Sequence, residues 1–338
     1  MATVSVDEVT GSLLSRRRYT RVAPQELPRM RFNIGPVAAT MVCVGMAAAY
    51  VGVLYTLPRS IRRLPRDHPT HILARFLLVC IFCALCPFVL AMFYEYDEAS
   101  ISFAEWLGIR YQGLLAAIVI PLAVTALLFA GSLIANALRF VSISRQFHQD
   151  GAWLALKNST LYYSITHDKL PSLRNFILGP LTEEFVFRSC MVPLLICAEF
   201  SAKQIIIGSP LTFGVAHLHH FIEHLKSGRS IKDASLIVGF QLIYTSLFGA
   251  YATFIYLRTG HFVSIFLIHV FCNVMGLPDL SFFNPESSLH SFRIVILASY
   301  AIGIYLFSQL LVPLTEPALY ESELWNITTF SEDKEITF

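Results

Sequence analysis

The stretch LTEEFVFR, residues 181–188, places two adjacent carboxylates and a guanidinium in the middle of an apolar segment. Insertion scales put each such charge at roughly 2.5 to 3.5 kcal/mol at the centre of a membrane helix. Glu184 and Arg188 are four residues apart, so they share one helix face and are expected to form a supporting ion pair. That ion pair does not explain Glu183, which is therefore the first candidate for a catalytic role.

The composition of the whole chain places this stretch in a membrane protein. Of the 338 residues, 55% are hydrophobic and only 14% are charged. Soluble domains carry about 25% charged residues. The mean hydropathy is +0.59. The net charge of +2 gives no indication of a nucleic-acid partner. The high hydropathy and the low content of charged residues predict that the chain lies in a lipid bilayer.

Apolar segments of about 20 residues, the length that crosses a bilayer core, recur along the sequence. We predict an all-α, polytopic membrane helical bundle of about eight transmembrane helices, with the active site in a cavity of the bundle. The predicted spans are 37–57, 76–93, 114–138, the segment around 181–188, 205–225, 236–257, 262–277 and 292–314. The predicted domains are a mobile basic N-terminal tail (1–35), a transmembrane domain (36–314) and an acidic C-terminal tail (315–338).

The charges of the loops orient the predicted bundle. The loops after the first, third and fifth spans are basic, whereas the loop after the second span and the C-terminal tail are acidic. Because short cytosolic loops are enriched in lysine and arginine, the basic loops are expected in the cytosol and both termini on the opposite side. The arginines of the N-terminal tail disagree with this assignment.

Three more polar side chains lie inside predicted spans, His217 in the fifth and His269 and Asn273 in the seventh. Counted from the basic ends of their spans, Glu183 lies about 13 Å deep and the two histidines about 12 Å deep. Asn273 lies about 6 Å nearer the cytosol. One carboxylate and two imidazoles are therefore expected in a single layer of the bundle.

This layer predicts a hydrolase. A carboxylate withdrawn from bulk water is a better base near neutral pH, so Glu183 with His217 can activate a water molecule. His269 and the Asn273 amide are donors suited to stabilising a tetrahedral oxyanion. The layer offers no nucleophile with an obvious base, so the expected reaction is direct attack of water on a peptide carbonyl.

Two alternatives remain open. His220-Phe221-Ile222-Glu223-His224 matches the H-x-x-E-H pattern of some zinc peptidases, which predicts a zinc-dependent membrane protease that uses residues 217–224. Intramembrane glutamates and histidines also occur in proton-coupled transporters, which predicts a non-enzymatic transporter or scaffold. No inverted repeat of the transporter kind is visible in the sequence.

The order of these motifs resembles the CPBP (bacteriocin-processing, or ABI) family of intramembrane glutamate proteases. The shared motifs are E-E-x-x-x-R at 183–188, F-x-x-x-H at 213–217 and H-x-x-x-N at 269–273. The chain is still more similar to the eukaryotic type II CAAX prenyl endopeptidases within that family. This closer resemblance rests on LPRDHP at 64–69, PLTEE at 180–184, FGVAH at 213–217, FGAY at 248–251 and RTGH at 258–261.

The resemblance implies a role for each site residue. Glu183 and His217 would activate water, His269 and Asn273 would stabilise the oxyanion, and Glu184 would support the site together with Arg188. It implies a transmembrane protease domain that needs no metal or other cofactor. The implied substrates are prenylated proteins that end in C-a-a-X, such as small GTPases, and that lose their last three residues. The implied location is the endoplasmic reticulum membrane, with a multi-pass chain whose site is reached from the cytosol.

Overall fold

The computed structural model describes residues 32–95, 101–146, 150–216 and 219–328, without the side chains of Thr160 and of 213–220. Within these ranges every regular element is helical, and the only extended pairing is an isolated bridge between Phe32 and Tyr94. The all-α class is therefore confirmed. The α-helices are α1 (Pro36–Gly52), α2 (Arg59–Arg62), α3 (Pro69–Ala91), α4 (Phe103–Trp106), α5 (Leu114–Leu128), α6 (Ala130–Gln146), α7 (Gly151–Lys157), α8 (Thr160–His167), α9 (Lys169–Leu173), α10 (Gly179–Glu184), α11 (Met191–Cys197), α12 (Ala202–Ala216), α13 (His219–Lys226), α14 (Ile231–Thr259), α15 (Phe262–Met275) and α16 (Arg293–Leu314).

Among the described residues, fewer helices are long and apolar enough to span a membrane than the eight spans that the sequence predicts. Four segments of the described chain are long and apolar enough to cross a bilayer: Pro36–Thr56, Pro69–Ala91, Ile231–Thr259 and His290–Leu314. A fifth results if α5 and α6 form one span, although they bend by 80° where they meet. The prediction of about eight spans is therefore not confirmed, whereas a multi-pass helical membrane protein is.

The shortfall arises in the segments that carry the candidate site. The segment around Glu183 is not one straight helix, because π-helical turns at Arg174–Leu178 and Phe185–Cys190 flank the short helix α10. Helix α15, which carries His269, has only 14 residues, about 21 Å of helix for a core about 30 Å thick. Short helices of this kind are tolerated at membrane depth where protein or a cavity surrounds them. π-Helical turns are frequent at functional sites.

Helix α11 and the π-helical turn before it form the centre of the bundle. Met191, Val192 and Leu194 are fully buried, and α11 packs against α1 and α12. Helices α12 and α14 pack along each other and are joined by the hydroxyls of Ser209 and Thr253, 3.0 Å apart. The site segment is therefore held by neighbours on several sides.

The RTGH motif, residues 258–261, fixes one end of the bundle. Arg258 Nε donates a hydrogen bond to the Thr315 carbonyl at 2.9 Å, and the glycine of the motif adopts a φ of +65°. Burial lowers the pKa of His261 to about 4, so the ring is neutral and its Nε2 donates to the Gln112 carbonyl at 2.7 Å. This motif is therefore structural.

Residues on both sides of the predicted transmembrane domain (36–314) also pack on the bundle. Phe32 is 1% exposed, and its ring lies 5.8 Å from that of Trp106. Tyr320 is fully buried, and its hydroxyl donates to the carbonyl of Leu314 at 2.5 Å. These two aromatic side chains connect the flanking segments to the helices.

Gly303 of α16 provides a test of this packing. A Cβ atom added there would overlap the carbonyl oxygen of Leu127, at the bend between α5 and α6. We expect Gly303→Ala to lower the free energy of unfolding by about 1–3 kcal/mol, because the overlap is with backbone. The measurement is the midpoint of thermal unfolding in detergent.

The matched control is Gly239→Ala in α14. An added Cβ atom meets nothing within 4 Å there, so the gain in helix propensity should leave the midpoint unchanged or raise it. A Gly303→Ala protein that unfolds at the wild-type temperature would contradict the packing described for α16.

Candidate functional site

A cavity of about 660 Å³ is lined by helices α1, α3, α14 and α15, by Arg66 and by the segment 174–187. Its volume is in the range of pockets that bind small molecules and peptides. Glu183, His269 and Asn273 all line its wall. The structure thus brings together in one cavity three of the four residues that the sequence predicts to be catalytic.

A buried charge network lies behind the cavity wall. Glu184 is fully buried, and its Oε1 accepts a hydrogen bond from Arg188 at 3.1 Å, as the spacing of the two residues predicts. The same oxygen lies 2.7 Å from Nδ1 of His269. Because Arg188 stabilises Glu184 as a carboxylate, which only accepts hydrogen bonds, Nδ1 of His269 carries the proton of this contact. The bond between Glu184 and His269 is absent from the sequence prediction.

His269 is therefore held in one orientation. With Nδ1 directed to Glu184, Nε2 points to the cavity and lies 3.8 Å from Oε2 of Glu183, beyond hydrogen-bonding distance. The ring of Phe248 lies against the imidazole at a centroid distance of 4.6 Å. A hydrogen bond on one nitrogen and a tilted aromatic ring in contact with the imidazole give Nε2 a fixed direction, as in sites where a carboxylate orients a histidine.

The two adjacent glutamates have different surroundings. Successive residues of a helix point about 100° apart, so Glu183 and Glu184 cannot occupy the same environment. The side chain of Glu184 is 0% exposed, whereas that of Glu183 is 25% exposed and lines the cavity. Glu184 thus belongs to the support of the site, and Glu183 is the carboxylate that a ligand in the cavity can reach.

Asn273 lies one helical turn beyond His269 on α15. Its Nδ2 donates a hydrogen bond to the backbone carbonyl of Asn175 at 2.8 Å, and its side chain is exposed at the cavity wall. One amide hydrogen is used by this bond. The other amide hydrogen and the amide oxygen are the groups that Asn273 can offer to a ligand.

His217 lies outside the described residues. Helix α12 ends at Ala216, immediately before it. The described residues contain no group of three or more potential metal ligands. The H-x-x-E-H pattern runs from His220, whose side chain is not among those described, to Glu223 and His224 on α13, whose side chains are.

Tyr50 of α1 is a wall residue that the sequence prediction missed. Its hydroxyl lies 3.0 Å from Oγ1 of Thr182, which itself donates to the carbonyl of Leu178 at 2.7 Å, so Tyr50 is the donor. Its ring meets that of Phe187 edge-on at 5.5 Å. The tyrosine thus holds the turn that carries Glu183 against α1. In the sequence, Tyr50 could have been recognised as a polar aromatic residue within an apolar span.

The buried network predicts a specific pattern of stability. Arg188→Met leaves the carboxylate of Glu184 buried without its guanidinium, and we expect a loss of about 3–5 kcal/mol in the free energy of unfolding. Adding Glu184→Gln to this variant removes the charge that was left behind, so the double variant should regain much of the loss. The measurement is denaturant unfolding in detergent.

If the single and double variants lose the same amount, the two side chains do not interact as an ion pair. The matched control is Arg62→Met, which removes an exposed guanidinium from α2 and should change the unfolding free energy by no more than about 0.5 kcal/mol.

Comparison with known proteins assigns the chain to a family. A family model described as type II CAAX prenyl endopeptidase Rce1-like matches residues 165–275, the part that carries the cavity-lining glutamate, histidine and asparagine. No solved structure matches.

Curated relatives extend the similarity to most of the chain. CAAX prenyl protease 2 of Arabidopsis thaliana is 38% identical over 302 residues, which cover 85% of this chain and 93% of the relative. CAAX prenyl protease 2 of Homo sapiens is 36% identical over 296 residues, which cover 83% of this chain and 82% of the relative. The chain therefore belongs to the type II CAAX prenyl endopeptidase family and is a multi-pass membrane peptidase.

Proposed function

We propose that this peptidase removes the C-terminal tripeptide from prenylated proteins that end in C-a-a-X, by attack of a water molecule that Glu183 activates. The observation that carries the mechanism is the contrast between the two glutamates. Glu183 faces the cavity, while Glu184 is buried and holds His269 with Nε2 toward the same space. A base and a directed imidazole at one cavity wall are what water attack on a carbonyl needs.

The proposed reaction proceeds through a tetrahedral intermediate. Glu183, assisted by His217, takes a proton from water, and the water oxygen attacks the carbonyl carbon of the prenylated cysteine. The C–N bond then breaks, the proton passes to the leaving amine, and the products are a prenylcysteine carboxylate and a tripeptide. His269 and Asn273 donate hydrogen bonds to the oxyanion of the intermediate.

The charge network supports this role for His269. A donor to the oxyanion needs a proton on Nε2, while the contact with Glu184 already uses a proton on Nδ1. An oxyanion donor at Nε2 would therefore be a ring with protons on both nitrogens, and the fully buried carboxylate of Glu184 lies in direct contact with that ring as its counter-charge. Arg188 donates a hydrogen bond to the same oxygen of Glu184 at 3.1 Å and so helps to hold that carboxyl group in place.

Two observations support the proposed substrates and location: the family to which the chain belongs and the exposed apolar helices beside the cavity. A prenyl chain partitions into the bilayer and brings the peptide to the membrane surface. The cavity is lined on one side by α3 and α14, whose lipid-side residues Leu77 and Leu247 are 63% and 67% exposed. We propose that the enzyme acts on prenylated small GTPases in the endoplasmic reticulum membrane, with its cavity open to the cytosol.

Activity of the purified protein on a prenylated C-a-a-X peptide tests the mechanism. Glu183→Gln and His217→Ala should each reduce tripeptide release below detection, because the water molecule loses its base. His269→Ala should reduce kcat by about 10²-fold or more through loss of an oxyanion donor. Wild-type activity of Glu183→Gln would contradict the mechanism.

Metal dependence separates the proposal from the zinc alternative. His224 closes the H-x-x-E-H pattern, so His224→Ala should abolish activity if that pattern binds zinc. We expect His224→Ala to remain active and chelators to have no effect on the wild-type rate. Inhibition by a chelator that zinc reverses, together with an inactive His224→Ala protein, would establish the alternative.

A further inference from the structure

Three arginines, Arg66, Arg75 and Arg174, line the same cavity as Glu183. Among the described residues of the cavity wall, Glu183 is the only carboxylate. The described wall therefore carries an excess of positive charge. Neither the activation of water by Glu183 nor the stabilisation of the oxyanion by His269 uses this charge.

The three guanidinium groups differ in how far the protein itself neutralises them. Arg174 donates to Oδ1 of Asp67 at 2.9 Å and to the backbone carbonyl of Arg66 at 3.4 Å, so it ties the loop after α2 to the start of the site segment. Arg66 is exposed in that loop. The loop is thereby held at the cavity.

Arg75 has a different environment. It is half-buried on α3, and no described residue forms a hydrogen bond or a close ion pair with its guanidinium. Burial disfavours its charge, Arg66 and Arg174 repel that charge, and Glu223 attracts it. A partly buried guanidinium that is repelled by two other arginines favours binding of an anion. A carboxylate is an anion that its planar donors fit well.

The position of Arg75 along α3 gives its distance from the reacting layer. Sγ of Cys83 donates to the carbonyl of Thr182 at 3.9 Å, which places Cys83 level with the turn that carries Glu183. Arg75 precedes Cys83 by eight residues, so it lies about 12 Å away along the helix axis. An extended tripeptide spans about 10 Å, and the arginine side chain covers the remainder.

We propose that Arg75, with Arg66 beside it, binds the free C-terminal carboxylate of the substrate and so sets the position of the cut. Arg174 is a positioning residue that holds the loop carrying Arg66. The inference rests on the proposed function, since it applies to a substrate whose scissile bond is three residues from its end. It identifies Arg75 as the residue that makes cleavage depend on a free chain end.

The sharpest test compares two forms of one prenylated peptide, with a C-terminal acid and with a C-terminal amide. A lost charge-assisted hydrogen bond is expected to lower kcat/KM of the wild-type enzyme on the amide by about 10- to 100-fold, mainly through KM. Arg75→Met should lose a similar factor on the acid and nothing further on the amide. Arg75→Lys should recover part of the loss on the acid.

Arg62→Met is the matched control, because Arg62 is an exposed arginine of the same basic region that does not line the cavity. It should retain the wild-type preference for the acid. The assays are run in vesicles of neutral lipid and again with added anionic lipid, since a lipid phosphate is the other anion that arginines bind.

Several results would overturn the inference. Equal cleavage of acid and amide by the wild-type enzyme shows that no carboxylate is bound. An equal loss by Arg75→Met on both peptides assigns the arginine to folding or general attraction. An effect of Arg75→Met that appears only with anionic lipid assigns the arginine to headgroups. Failure of the wild-type enzyme to release a tripeptide from either form overturns the proposed function, and the inference with it.

Discussion

The contact between Glu184 and His269 is the constraint on which the site depends. A fully buried carboxylate is costly unless its charge is compensated, and here Arg188 and His269 both bind the same oxygen. The compensation fixes the imidazole and connects α10 to α15. Because Glu184 faces this buried network, the adjacent Glu183 faces the cavity. One buried charge network therefore determines which glutamate is exposed to a ligand.

The irregular backbone of the site segment follows from the same constraint. π-Helical turns lie on both sides of α10. They change the direction in which successive side chains point, so that Glu183, Glu184 and Arg188 can reach different partners. Tyr50 holds the turn through Thr182. Such segments are too short or too irregular to cross a bilayer alone, and the longer helices α1, α3 and α14 pack against them.

Much of the site could be predicted from charges placed in apolar segments, because such charges are expensive. The cost identified Glu183, Glu184 and Arg188, and helix geometry correctly paired the last two. Counting residues from the basic ends of the spans placed Glu183 and His269 in one layer, and both line the cavity.

The number of spans could not be obtained in this way, since an apolar segment broken by π-helical turns has the same composition as a straight helix. The bond between Glu184 and His269, and the arrangement of Arg75 and Arg174 around the cavity, depend on tertiary contacts that no local pattern contains.

The central claim is that Glu183 activates water and does not itself attack the carbonyl. The most direct measurement is repeated turnover in water labelled with the heavy oxygen isotope, followed by mass spectrometry of the enzyme peptide that contains Glu183. Direct water attack predicts label in the new carboxylate of the product and none in Glu183. Label in the side chain of Glu183 would show a covalent intermediate on that residue and would contradict the account.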